Sequence, residues 1–178
     1  MKKVMLFSAL LVLAGIAGAP RAKAMGEVLS PKETAGKLNN QVIERVIDGQ
    51  KGFQEVAENA ASPELKARFA ALSLERGKFT EELKAKVRDL GEDPEQGGSA
   101  SGAAHRAWID VKSAVRTDDD QAVLGAVKMG EQAAVDAYRE VLKENLPDDV
   151  RSLLQDQLKK IEASYDWAAE RFLAEKDK

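Results

Sequence analysis

Carboxylates near the middle of long helical stretches are the residues in this chain best placed to do chemistry. Four helices can hold a pair of iron or manganese ions when two supply a carboxylate each and the other two supply Glu-x-x-His, all projecting inward. Imidazole nitrogen and carboxylate oxygen together suit such ions and leave positions open for oxygen. Here the first helix offers Asp48 or Gln50, and the third offers Glu131. The second reads Glu75-Arg76-Gly77-Lys78 and the fourth Glu162-Ala163-Ser164-Tyr165, so Lys78 and Tyr165 stand where histidines are needed. The chain has 1 histidine, His105, and it lies in neither run. A two-histidine centre therefore cannot form within one chain. A site of carboxylates alone, holding a harder ion such as manganese, is the alternative. Arg76 and Lys78 argue against it by placing positive charge in the same layer.

An arginine on an apolar helix face needs partners, because an isolated buried charge is strongly disfavoured. The layer is therefore expected to be a polar core: Arg76 pairs with Glu131 and Glu162, and Gln50 and Tyr165 complete the hydrogen bonds. Such a layer fixes helix register while adding little stability. No metal or other cofactor is expected in it. His105, beside Arg106, is expected to pack or hydrogen-bond onto the helices; a pH sensor is the sharper reading, since imidazole titrates near neutrality. Asp118-Asp119-Asp120 reads as a helix cap and acidic first turn, without the alternating ligands and terminal glutamate of a calcium loop. A serine-histidine-acid triad cannot be assembled with confidence, and there is neither a phosphate loop nor a dinucleotide fingerprint. The chain is thus expected not to be an enzyme. Trp167 lies off the inward stripe of its helix and is expected to pack near Trp108 or to mark a contact with another protein or a second copy.

Apolar spacing supplies the elements that must position these groups. Ser30-Pro31-Lys32-Glu33 opens the first helix as a capping box, and Leu38, Val42, Val46, Phe53 and Val56 carry its stripe to about Ala60. Gly49 and Gly52 break into that stripe. Helix-interior glycines cost about 1 kcal/mol each relative to alanine, so a neighbouring helix or a ligand is expected to come close there. Ser62-Pro63 reverses the chain into a second helix to Leu90, with Leu65, Phe69, Leu72, Phe79 and Leu83 on one face. A polar loop, Glu92 to Gly102, and a short helix, Ala103 to Arg116, lead to a third long helix from Asp120 to Asn145. Its face carries Val123, Val127, Ala134, Tyr138 and Val141, with Glu131 interrupting. After Leu146-Pro147 the last helix runs to Leu173, with Val150, Leu154, Leu158, Ile161, Tyr165, Ala168 and Phe172 inward. The links run short, long, short. The expected fold class is all-α: a ferritin-like four-helix bundle with one long crossover carrying a short extra helix.

The N-terminus reads as a cleaved signal peptide: Lys2-Lys3, an apolar run from Val4 to Gly18, then Ala22-Lys23-Ala24. That run is about 15 residues, short of the roughly 20 that span a bilayer. Residues 1–24 are then the signal peptide and 25–178 a single domain, exported to the periplasm. Cleavage takes Lys2, Lys3, Arg21 and Lys23 from a chain of formal net charge −3 and leaves −7. An acidic mature chain argues against nucleic acid or a membrane surface as partner and leaves a protein or a second copy. With 0 cysteines there is neither a disulfide nor a thiolate metal site.

Several landmarks, taken in order, resemble a bacterial family. They are Asp48-Gly49 with Gly52-Phe53, Arg76 with Phe79 and Leu83, the run His105 to Asp110, Gly130-Glu131, Tyr138 and Leu146-Pro147. The family is a four-helix-bundle domain of unknown function placed in the ferritin-like superfamily, and the resemblance covers about Thr34 to Asn145. It implies a ferritin-like fold and brings no established activity. It also implies Glu near Gln50 and His near Tyr165, and this chain's departures at both positions remove ligands. The expected role is an exported structural, protein-association or stress-related module; the alternative is a carboxylate-type iron or manganese oxidase or store.

Overall fold

A computed structural model describes residues 26–98 and 119–176. The expected signal peptide, 1–24, and the expected short helix with His105 and Trp108 lie outside the described residues. Every regular element among the described residues is helical, so the fold is all-α. None of these helices is long and apolar enough to cross a membrane.

The first rod consists of α1 (Pro31–Lys37), a π-helical segment (Leu38–Ile43) and α2 (Glu44–Asn59). Three further helices follow: α3 (Pro63–Asp89), α4 (Asp120–Leu142) and α5 (Asp148–Lys176). Their ends sit where cap chemistry puts them. The Glu33 N–H donates to Ser30 Oγ at 3.3 Å while the Ser30 N–H donates to the Glu33 carboxylate at 3.0 Å, which satisfies two free donors at once. Ser62 accepts from the Leu65 N–H at 3.3 Å, and Asp119 from the Ala122 N–H at 3.0 Å. Past α3 the chain turns at Gly91 with φ 80°, a left-handed conformation that favours glycine. The π segment departs from the uninterrupted α-helix that apolar spacing predicts.

The apolar stripes meet in two clusters. One joins Leu38, Val42 and Ile43 to Phe79, Leu83 and Val87 of α3, Tyr138 and Val141 of α4, and Val150 and Leu154 of α5. The other joins Phe53 and Val56 to Leu65 and Phe69, Val123 and Val127, and Ala168. The start of the first rod thus lies with the ends of α3 and α4 and the start of α5. The first rod and α5 therefore run one way, and α3 and α4 the other. Arg151 secures the end of α4 by donating to the carbonyls of Leu142 at 2.9 Å and Glu144 at 2.6 Å. The chain leaving α3 follows the first rod. The Asn39 side chain, within the π segment, donates to the Asp93 carbonyl and accepts from the Glu95 N–H, both at 2.9 Å. Further along, Gly98 lies so close to the Asp48 side chain that a side chain on it would collide.

Candidate functional site

Between the two clusters lies a charged group with almost no access to water. Arg76, midway along α3, is 1% exposed, and Glu131, midway along α4, is 3% exposed. Arg76 Nη2 donates to Glu131 Oε1 and to Ser164 Oγ of α5, each at 2.7 Å, and Nη1 donates to Glu75 Oε2 at 2.8 Å. The Ser164 hydroxyl lies 2.6 Å from the same Glu131 Oε1, to which it donates. The guanidinium carbon stands 5.5 Å from the Phe53 ring centre and 5.2 Å from that of Phe79, so two aromatic faces flank the cation. All four rods contribute. Burial lifts the Glu131 carboxyl above the ordinary carboxylate value, against the opposing pull of Arg76 and Ser164.

The pairing of Arg76 with Glu131 follows the expectation; the rest of the expected layer needs correction. Glu162 does not reach Arg76: its carboxylate accepts from Arg139 at 2.7 Å, on the surface between α4 and α5. Lys78 is exposed. With Gln50 it lines an outer groove between α2 and α3, where the Gln50 amide nitrogen would lie 3.1 Å from a Cβ on Gly77. Tyr165 is half-buried, and Ser164 takes the inward place predicted for it. Glu75 remains in the layer, as a second carboxylate on Arg76 and 32% exposed. Trp167 packs within the fold, edge-on to Phe69 at 5.6 Å, with the Arg68 guanidinium 5.0 Å above its ring. Trp108, its other expected neighbour, lies outside the described residues.

A dimetal centre does not fit this donor set. Arg76 fills the space between the inward carboxylates, and the positions needed for histidine hold an exposed Lys78 and a half-buried Tyr165. Among the described residues no cluster of three or more histidine, cysteine or carboxylate side chains could hold an ion.

Beside the charged group, between α2 and α4, opens a cavity of about 50 Å³. Gly49 and Gly52 of α2 and Gly130 of α4 line it, with Arg45, Arg76 and Glu131 on its wall. A Cβ built on Gly49 or Gly130 would meet nothing within 4 Å among the described residues. Of the two expected neighbours, a helix or a ligand, no helix closes on Gly49: among the described residues the glycine faces open space. Apolar spacing and charge did not point to Arg45, the arginine on this wall; Asp48-Gly49 and Gly52 were its nearest sequence signal.

The sequence matches, over residues 34–144, the family described as a domain of unknown function, DUF2383. That span includes the glycines, Arg76 and Glu131, and more than half of the chain. The chain belongs to the DUF2383 family. Neither the curated proteins nor the solved structures contain a match to it. In this DUF2383 chain the matched span ends before α5, which supplies Ser164 to the cluster and Gln157 to a second buried set. There the Tyr138 hydroxyl donates to Gln157 Oε1 at 2.7 Å, and Gln157 Nε2 donates to Glu82 at 2.7 Å. Burial holds the Tyr138 phenol well above its ordinary value.

Proposed function

We propose that this DUF2383 chain is an exported, non-catalytic ferritin-like four-helix bundle of bacterial origin, acting in the periplasm through protein association or stress protection. The observation that carries the reading is the Arg76 guanidinium, fixed between Glu131 and Glu75 at 2.7 and 2.8 Å, in the layer where metal-binding bundles hold ions. A buried cation bonded to both carboxylates keeps a second cation out by charge and by volume. The ferritin-like topology is supported by the run of the rods. With α3 and α4 parallel, the link between Asp89 and Asp120 has to cross the length of the bundle. Its first residues, Asp93 to Gly98, climb the first rod from Asn39 to Asp48. Export is supported by the sequence of residues 1–24.

Elemental analysis of the protein purified from a bacterial periplasm, produced with its own leader, tests the reading. Iron and manganese should be far below one ion per chain. Stoichiometric metal that disappears on replacing Glu75, Glu131 or Glu162 would reverse it in favour of a carboxylate-type metal protein.

A further inference from the structure

The geometry points to the cavity between α2 and α4 as a binding site for a small carboxylate anion of formate or acetate size, received by Arg45. Its space of about 50 Å³ exceeds the 10–15 Å³ or so that admits one water. Arg45 Nη1 is buried and has no hydrogen-bond partner among the described residues. Arg45 is half-buried and lines the cavity, and an acceptor there within reach of Nη1 would satisfy that donor. Gly49 and Gly130 keep the space open on opposite helices, at sites where alanine would favour the helix. The remaining wall is largely apolar, with Val46, Phe53, Val127 and Ile161, which suits a methyl group. Arg45 and Arg76 share the wall with Asp48 and Glu131, and Arg76 is already paired, so it is the Arg45 donor rather than net charge that favours an acceptor.

The same wall makes the site sensitive to pH. An incoming carboxylate faces Arg45 and Asp48 from α2, Arg76 with its partner Glu75 from α3, and Glu131 from α4; α5 presents the uncharged Ile161 and Ser164. Glu131 Oε1 already takes both of that residue's hydrogen bonds, from Arg76 and Ser164, so beside the charge of Asp48 the anion meets a second like charge unless Glu131 carries a proton. Anion binding therefore takes up a proton at Glu131, and affinity strengthens as pH falls, by up to about tenfold per unit.

The test uses the whole mature chain, titrated with sodium formate and sodium acetate against sodium chloride of equal ionic strength, at pH 5.5 and 7.5. Melting temperature and calorimetry are read together. The expected result is a saturable rise in melting temperature with the carboxylates alone, larger at pH 5.5, together with a calorimetric isotherm. Arg45→Met should abolish both. The Gly49→Ala/Gly130→Ala double variant puts two methyl groups into the cavity, and it too should fold and lose the response, which keeps the test decisive if Arg45→Met fails to fold. A carboxylate response no larger than that of chloride overturns the assignment and leaves a water-filled cavity. So does a response that survives in the glycine double variant. The outcome is independent of the metal analysis, because Arg45 belongs to neither expected metal ligand set.

Discussion

Replacing Arg76 with alanine removes the cation and leaves its partners in place. Glu131, 3% exposed, would lose its charge-assisted bond from Nη2, while Ser164 would lose a donor and the rings of Phe53 and Phe79 the group between them. Breaking a buried pair from one side costs about 3–5 kcal/mol. The bond to Glu75 adds little, because that carboxylate is 32% exposed and screened by water. For a domain of this size each kcal/mol moves the melting temperature by roughly 2–4 °C, so Arg76→Ala should melt about 6 to 20 °C lower. The deficit should depend on pH. Without Arg76 the Glu131 carboxyl rises further above its reference value of 4.5, so the variant gains by protonation below about that pH and loses stability as pH climbs through the raised folded value. Removing both charges with Arg76→Met/Glu131→Leu should recover most of the loss, since a buried pair contributes little against apolar residues of similar volume. Urea unfolding of the wild type, both single variants and the double variant closes the cycle. A loss below about 1 kcal/mol in Arg76→Ala, or a double variant no more stable than either single one, would refute the reasoning.

Three other substitutions read different parts of the structure. Glu131→Gln removes a carboxyl whose folded value lies above 4.5; wild-type stability should fall from about that pH towards neutrality, and thermal melts of the variant over the same range should show a flatter profile. Tyr138→Phe leaves the buried Gln157 carbonyl without its donor and should cost about 1–2 kcal/mol in chemical denaturation. Gly49→Ala should stabilise by about 0.5–1 kcal/mol, because the added methyl meets open space within a helix; a loss in the same assay would mean that the cavity is closed.

Much of this architecture could be read from the chain because the relevant signals are local. Ser30 with Glu33, Ser62 before Pro63, and Gly91 each fix a helix end through groups within a few residues. Arg76 announced itself by breaking an otherwise regular face, and Glu131 by doing the same on α4. The remaining partners are not legible on α5, where hydrophobicity points to Leu158 and Tyr165 as the inward residues. The buried line is Val150, Leu154, Gln157, Ile161, Ser164 and Ala168, an alternation of four and three that places two polar residues in the core. Gln157 and Ser164 are inward because partners on other helices await them, Tyr138 and Glu82 for one and Arg76 and Glu131 for the other. No periodicity in α5 alone carries that information. Glu162 fails as a partner for the matching reason: it adjoins Ile161 and, one residue round the helix, meets Arg139 at the surface. Arg45 escaped notice because a long cationic side chain on a helix flank ordinarily reaches water.

The six wide-wound residues Leu38–Ile43 give the first rod an unusual tolerance. Each π turn accommodates about one residue more than an α turn. Deleting a single residue inside Leu38–Ile43 can therefore be absorbed by tightening the coil, with both flanking segments keeping their orientation. The same deletion between Val46 and Gly49 would swing everything beyond it by about 100° and turn Arg45 and the glycines away from each other. Length variation among homologous first helices should accordingly concentrate at Leu38–Ile43, a hinge point for indels in an otherwise rigid register.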